Sequence, residues 1–188
     1  MPLPITLYGN PILRQKGVKV TVFDHKLKEL AEAMIDTMRA GEHARGIGLA
    51  AQQVWQAIML CVIDITGRAG DMEFDYILDG KTPPINLIMP MALVNPVLKL
   101  DKSETETYNE GCLSFPQIYA DVSRPTTLSC RYQDIEGNPH ALICDGLLAR
   151  VIQHEVDHLN GILFIDRMPK STLKKLWPQL EESKSGQA

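Results

Sequence analysis

The chain has no CxxC pair. Its four cysteines, Cys61, Cys112, Cys130 and Cys144, stand far apart among 188 residues. That spacing suits free thiols in a reducing compartment better than a disulfide framework. There is no basic surplus either: the net charge of -4 argues against a dedicated nucleic-acid binder. No apolar run is long enough to span a bilayer. The first residues, MPLPITLYGNPILRQKG, lack the apolar stretch after a basic start that marks a secretory signal. A cytoplasmic protein with no membrane partner is the expectation; an organellar protein after removal of a transit peptide would read the same. Internal repeats and linker-like composition are also missing. What is present is 45% hydrophobic and 22% charged residues, enough apolar material for one core without staples. A single domain over 1–188 is expected, with a polar tail from about 181.

Residues 1–20 carry Pro2, Pro4, Gly9 and Pro11 and read as extended and loop-like. The segment FDHKLKELAEAMIDTMRAG then repeats apolar residues at helical spacing, with Asp24 as N-cap and Gly41 as a stop. AIMLCVIDI at 57–65 reads as a buried strand, and 66–90, rich in Gly, Asp and Pro, as a long loop or insertion. MALVNPVLKL predicts a strand with an edge position or a bulge at Pro96. TETYNEGCLSFPQIYADV suggests short strands around a turn, and TTLSCRYQDIEGNPHALIC a hairpin turning near Glu136 to Asn138. Asp145 is placed to cap a helix over 146–159, ended by Asn160-Gly161. ILFIDRM reads as a short strand or extended segment, and STLKKLWPQLEESKSGQA as a short helix with a frayed tail. Strands precede the main helix without βαβ alternation, so the fold class is α+β.

The main helix contains VIQHEVDHLNG. Positions i and i+4 share a helix face, so His154 and His158 can point two imidazoles at one metal ion. Glu155 is turned away by about 100° and can reach the edge of such a site without ligating. Two nitrogen ligands and a carboxylate that takes a proton from water make up the chemistry of an HExxH motif. HEVDH also fits an ordinary solvated helix face. Ile152, Val156 and Leu159 oppose that reading, because they make the same helix partly buried.

A third ligand is needed. Downstream, NGILFIDRMPK offers Asp166 but no glutamate before the polar tail, and the HxxGxxH extension is missing. Upstream, Cys112 in EGCLS can complete a sphere of one thiolate and two imidazoles with an open position, although a lone cysteine also fits the role of a small buried hydrophobe. GIGLAAQQV at 46–54 lacks the GKS or GKT of a phosphate loop. It is either a tight packed turn or a place where Gly46 and Gly48 let a ligand approach the backbone, with Gln53 aiming an amide N–H at developing negative charge.

GIGLAAQQV, EGCLS and QHEVDHLNG, in this order, resemble the three motifs of the peptide deformylase family, GxGxAAxQ, EGCxS and QHExDH. The similarity of pattern runs from GNPILRQKG to ILFIDRM. It implies an α+β fold with sheets packed around a central HExxH helix. It implies Cys112, His154 and His158 as metal ligands and Glu155 as general base and acid. Gln53 and the Leu113 backbone N–H would form the oxyanion hole. Gly48 would hold the peptide backbone, and Ile47, Glu110 and Leu147 would line a methionine pocket. Asp157 paired with Arg124 would support the ligands. The metal implied is Fe(II) in the cell, with Zn, Ni or Co able to replace it. The implied substrate is an N-formylmethionyl nascent peptide, with transient association at the ribosome. Three positions depart from the common pattern: Gln52 stands where threonine is frequent, Tyr119 where many members carry arginine, and Arg150 where some carry an apolar residue. Arg150 would either polarise the pocket rim or point to solvent. Two other readings compete. A zinc endopeptidase would need a downstream glutamate or histidine ligand. A deformylase-like binding domain without turnover would have lost Glu155, Gln53 or a ligand.

Overall fold

The computed structural model describes residues 2–40, 46–68 and 73–185. In chain order, α1 spans His25–Arg39, β1 Gly48–Ala50, β2 Leu60–Ile63, β3 Tyr76–Leu78, α2 Ile85–Ile88, β4 Met91–Cys112, β5 Phe115–Gln133, β6 Pro139–Asp145, α3 Gly146–Leu159 and α4 Lys170–Ser185. The strands form one antiparallel sheet in the order β1-β2-β4-β5-β6-β3. The α+β class holds. Among the described residues no helix is long and apolar enough to cross a membrane.

α1 begins where expected, with the Asp24 carboxylate accepting from the Leu27 N–H at 3.1 Å. Its expected stop, Gly41, lies outside the described residues. β4 and β5 are far longer than the short strands expected around EGCLS. They pair almost continuously from Val94 opposite Gln133 to Cys112 opposite Phe115. Pro96 sits at a register shift between Val94 and Val97, so the bulge is there, but the strand is interior and not an edge. The 66–90 stretch is more than a loop: β3 closes one edge of the sheet against β6, and α2 follows; residues 69–72 lie outside the described residues.

Asp145 stands at the head of α3 but does not cap it. Its carboxylate accepts instead from the Asp75 N–H at 2.6 Å, tying β6 to the segment before β3. Gly161, at φ 72°, ends the helix in the left-handed region that favours glycine. ILFIDRM is not a strand. The Asp166 carboxylate accepts from the Leu163 N–H at 2.8 Å and winds Phe164–Arg167 into a 3-10 turn. α4 then runs through Pro178 to Ser185, longer than the short frayed helix expected.

α3 is buried almost throughout, its polar residues included. It packs on β1, β2, β5 and β6. Leu148, Ile152 and Leu159 are inaccessible and join Cys61, Ile63, Leu93 and Leu142 in the main core. Its other side meets a second core where Phe115 stacks on Tyr8 at 4.5 Å and meets Phe164 edge-on at 5.0 Å. The helix is therefore clamped between two cores. Of its polar residues, Arg150, His154 and His158 meet the end of β4, where Glu110 and Cys112 stand.

Candidate metal centre

Helical spacing brings the His154 and His158 rings to 5.0 Å. β4 ends at Cys112, whose sulfur lies 3.3 Å from His158 Nε2. One ligand atom from each of Cys112, His154 and His158 falls within 4.8 Å of the others. His154 Nδ1 is 3.0 Å from Glu110 Oε2, which fixes the ring and leaves Nε2 for the cluster. Unlike Cys112, the other cysteines lie in the sheet core, where burial pushes their thiols above the usual range. Asp166 is not part of the set: its carboxylate binds Arg14 and the Leu163 N–H.

Glu155 is 4% exposed. Its carboxylate accepts no hydrogen bond among the described residues, and Oε2 is fully buried. Burial pushes it up to about 7, against the pull of His154 and Arg124 and with help from Glu110 and Asp157. Gly48 makes room for it, since a Cβ there would collide with the Glu155 carboxylate.

Gln53, and not Gln52, turns its amide to the cluster. Its Oε1 accepts from the Ala50 N–H at 2.8 Å, which aims Nε2 at Ser114 Oγ, 3.1 Å away, and at Cys112 Sγ, 3.5 Å away. Gln52 faces the other way and donates to the carbonyls of Gln15 and Leu159. The Leu113 N–H, at the reversal between β4 and β5, has no acceptor among the described residues.

A cleft of about 410 Å³ opens beside these groups. Ile47, Gly48, Glu110 and Leu147 line it, and Tyr119 stands at its mouth, half exposed, with its ring packed on Gly111. Beneath lies a buried charge network. Arg124 grips Glu110 through Nε at 2.7 Å and Nη2 at 3.0 Å, and reaches Asp157 through Nη1 at 2.8 Å. Burial works against the Glu110 carboxylate, but hydrogen bonds from His154 and Arg124 outweigh it and hold it well below the usual range. Two residues of the site escaped the sequence reading, and a third, Arg150, was singled out with its role left open. Ser114 holds Gln53. Arg167 donates to Asp157. Arg150, which the sequence left between rim and solvent, is buried and donates to Glu110 at 2.7 Å. Only a map of long-range contacts could have shown these pairings.

A thiolate and two imidazoles suit a borderline divalent ion, and the unpartnered buried Glu155 beside them is where a proton-accepting group belongs. Fold and site together define an HExxH-type, metal-dependent amide hydrolase. The polypeptide deformylase family model matches residues 2–174. The peptide deformylase of Opitutus terrae is 55% identical over 174 residues, covering 92% of this chain and 88% of that one. The chloroplastic/mitochondrial peptide deformylase 1B of Arabidopsis thaliana is 39% identical over 180 residues, covering 96% of this chain and 59% of that one. The crystal structure of peptide deformylase from Thermotoga maritima aligns with a TM-score of 0.75 at 36% identity, covering 90% of this chain and 99% of that chain. The chain belongs to the polypeptide deformylase family, whose members remove the N-formyl group from newly made polypeptides.

Proposed function

We propose that the chain, acting as one catalytic domain, hydrolyses the formyl amide at the N-terminus of N-formylmethionyl nascent peptides and releases formate. The observation that carries this is Glu155, a buried carboxylate without a partner, set beside the clustered ligand atoms of Cys112, His154 and His158. These three residues hold one divalent ion, Fe(II) in the cell, with Zn, Ni or Co able to take its place. When bound, the ion supplies Lewis-acid charge that acidifies water and polarises the formyl carbonyl. Glu155 takes a proton from water, and the water oxygen forms a bond to the formyl carbon. The carbonyl oxygen gains negative charge, which the Gln53 amide and the Leu113 N–H receive; a donor of this kind contributes about 10²–10³ in rate. The C–N bond then breaks, and Glu155 returns its proton to the leaving amine. Formate and a free methionyl amine result.

Gly48 receives the peptide backbone in a strand-like pose, while Ile47, Glu110 and Leu147 form the pocket for the first side chain. Asp157 and Arg124 hold the ligand residues in place from behind. The substrate places the protein in the cytoplasm or an organelle that makes protein, in transient contact with the ribosome. The test is formate release from a formyl-methionyl tripeptide by protein purified without oxygen. Release that stops on chelation and returns with Fe(II), with the peptide bonds intact, is expected. No release from protein holding one ion per chain would refute the proposal.

A further inference from the structure

Arg150 precedes His154 by four residues and so lies on the same face of α3. Its side chain is 7% exposed. Nη1 donates to Glu110 Oε1 at 2.7 Å and to the Val122 carbonyl at 3.1 Å, and Nη2 donates to the Glu106 carbonyl at 2.8 Å. The guanidinium carbon sits 5.6 Å from the centre of the Tyr108 ring. A guanidinium offers five N–H hydrogens, and these bonds engage three. The Nε–H and one Nη2 hydrogen meet no acceptor among the described residues.

Arg150 and Tyr108 both border the cleft, whose lining also includes Leu147 and Val151 of α3 and Ile47. Apart from Arg150 and its partner Glu110, the neighbouring lining of Ile47, Leu147 and Val151 is apolar. An apolar slot discriminates poorly between side chains of the same shape. A thioether sulfur and a methylene have nearly the same shape, and they differ in that sulfur is a weak hydrogen-bond acceptor. A cation edge with unengaged hydrogens changes the selection, because filling the slot with carbon alone strips those hydrogens of water and returns nothing. The Glu110 carboxylate already neutralises the guanidinium, and it repels an anionic side chain. The slot therefore favours an unbranched, neutral side chain that carries an acceptor.

We propose that Arg150 is a specificity-determining residue, which uses its unengaged N–H edge to select a thioether side chain over an all-carbon side chain of equal length. This rests on the deformylase reading. A purely structural Arg150, tying the Glu106 and Val122 carbonyls of β4 and β5 together, would affect both side chains equally.

The experiment compares kcat/KM of the metal-loaded enzyme for formyl-methionyl and formyl-norleucyl forms of one tripeptide. Wild type should favour the methionyl form by about 3- to 10-fold, the worth of a weak hydrogen bond. In Arg150→Leu the ratio should fall to about one, with the methionyl rate losing more than the norleucyl rate. Arg150→Lys keeps the charge beside Glu110 but not the fork, and should fall between. A wild-type ratio near one overturns the inference, whether or not the leucine variant folds. So does an undiminished ratio in either variant that still releases formate. Absence of formate from both peptides with wild-type enzyme would instead remove the deformylase reading, and the inference with it.

Discussion

Two charge clusters in this molecule use the same chemistry in opposite surroundings. Beneath the cleft, Glu110 accepts from Arg124, Arg150 and His154, and both Glu110 and Arg124 are nearly inaccessible, at 6% and 4%. On the β5–β6 hairpin, His140 lies 2.6 Å from Asp79 and 3.3 Å from Asp134, and Asp79 is 45% exposed. Each cluster holds a histidine nitrogen against a carboxylate. In the buried one every charge depends on a protein partner, because water cannot replace it. In the exposed one solvent screens the pairs and stands ready to substitute. Burial, and not the number of ion pairs, decides which cluster can support a metal ligand.

The comparison is broken most severely at Glu110. Glu110→Ala removes the carboxylate that two buried guanidinium groups and His154 Nδ1 share, and should cost about 3–5 kcal/mol. Urea unfolding of the metal-free protein measures this; a loss under about 1 kcal/mol would mean the network behaves like a surface cluster. Asp157→Asn is milder. It keeps the shape but weakens the grip of Arg124 and Arg167, and metal affinity should drop by about 10–100-fold. Competition with a chelator reads this directly, and unchanged affinity would detach Asp157 from the site.

The exposed cluster should respond least, and in a way that depends on pH. Burial works against the His140 cation, but hydrogen bonds to Asp79 and Asp134 outweigh it and raise its pKa. Its contribution is complete below about pH 6.5, the ordinary histidine value, and fades as pH rises through the raised folded value. The Asp79 and Asp134 carboxylates are held low, Asp79 mainly by the Ala141 N–H and His140, Asp134 against burial by Asn138 and His140. Their contribution is present above about pH 4 and is lost as pH falls further. His140→Gln should therefore cost less than about 1 kcal/mol, mostly between about pH 4 and 6.5, and almost nothing at pH 9. A constant cost across that range would show that the ring matters only through its stacking on Tyr132.

Local chemistry made part of this legible in the sequence. The HExxH helix, its Gly161 stop and the Asp24 cap of α1 depend on neighbours within a turn. The motif register also pointed to Gln53 over Gln52, and the two amides do face opposite ways. Distance hid the rest. Gln53 meets Ser114 across 61 positions of chain, and Arg150 meets Glu110 across 40. Lys102 to Thr107 is polar on both faces, so β4 shows no alternation there, and pairing with β5 alone holds it as strand. In ILFIDRM the apolar run imitates a strand, but Asp166 folds back on the Leu163 N–H and closes a turn.

The central claim is that holding the ion and moving the proton are separate tasks, the first belonging to Cys112, His154 and His158, the second to Glu155. The most direct test is formate release by Glu155→Gln, assayed alongside its metal content. One divalent ion per chain with turnover reduced by about 10²–10⁴ is the expected result. Full turnover with the ion in place would contradict the assignment of Glu155 as the proton carrier.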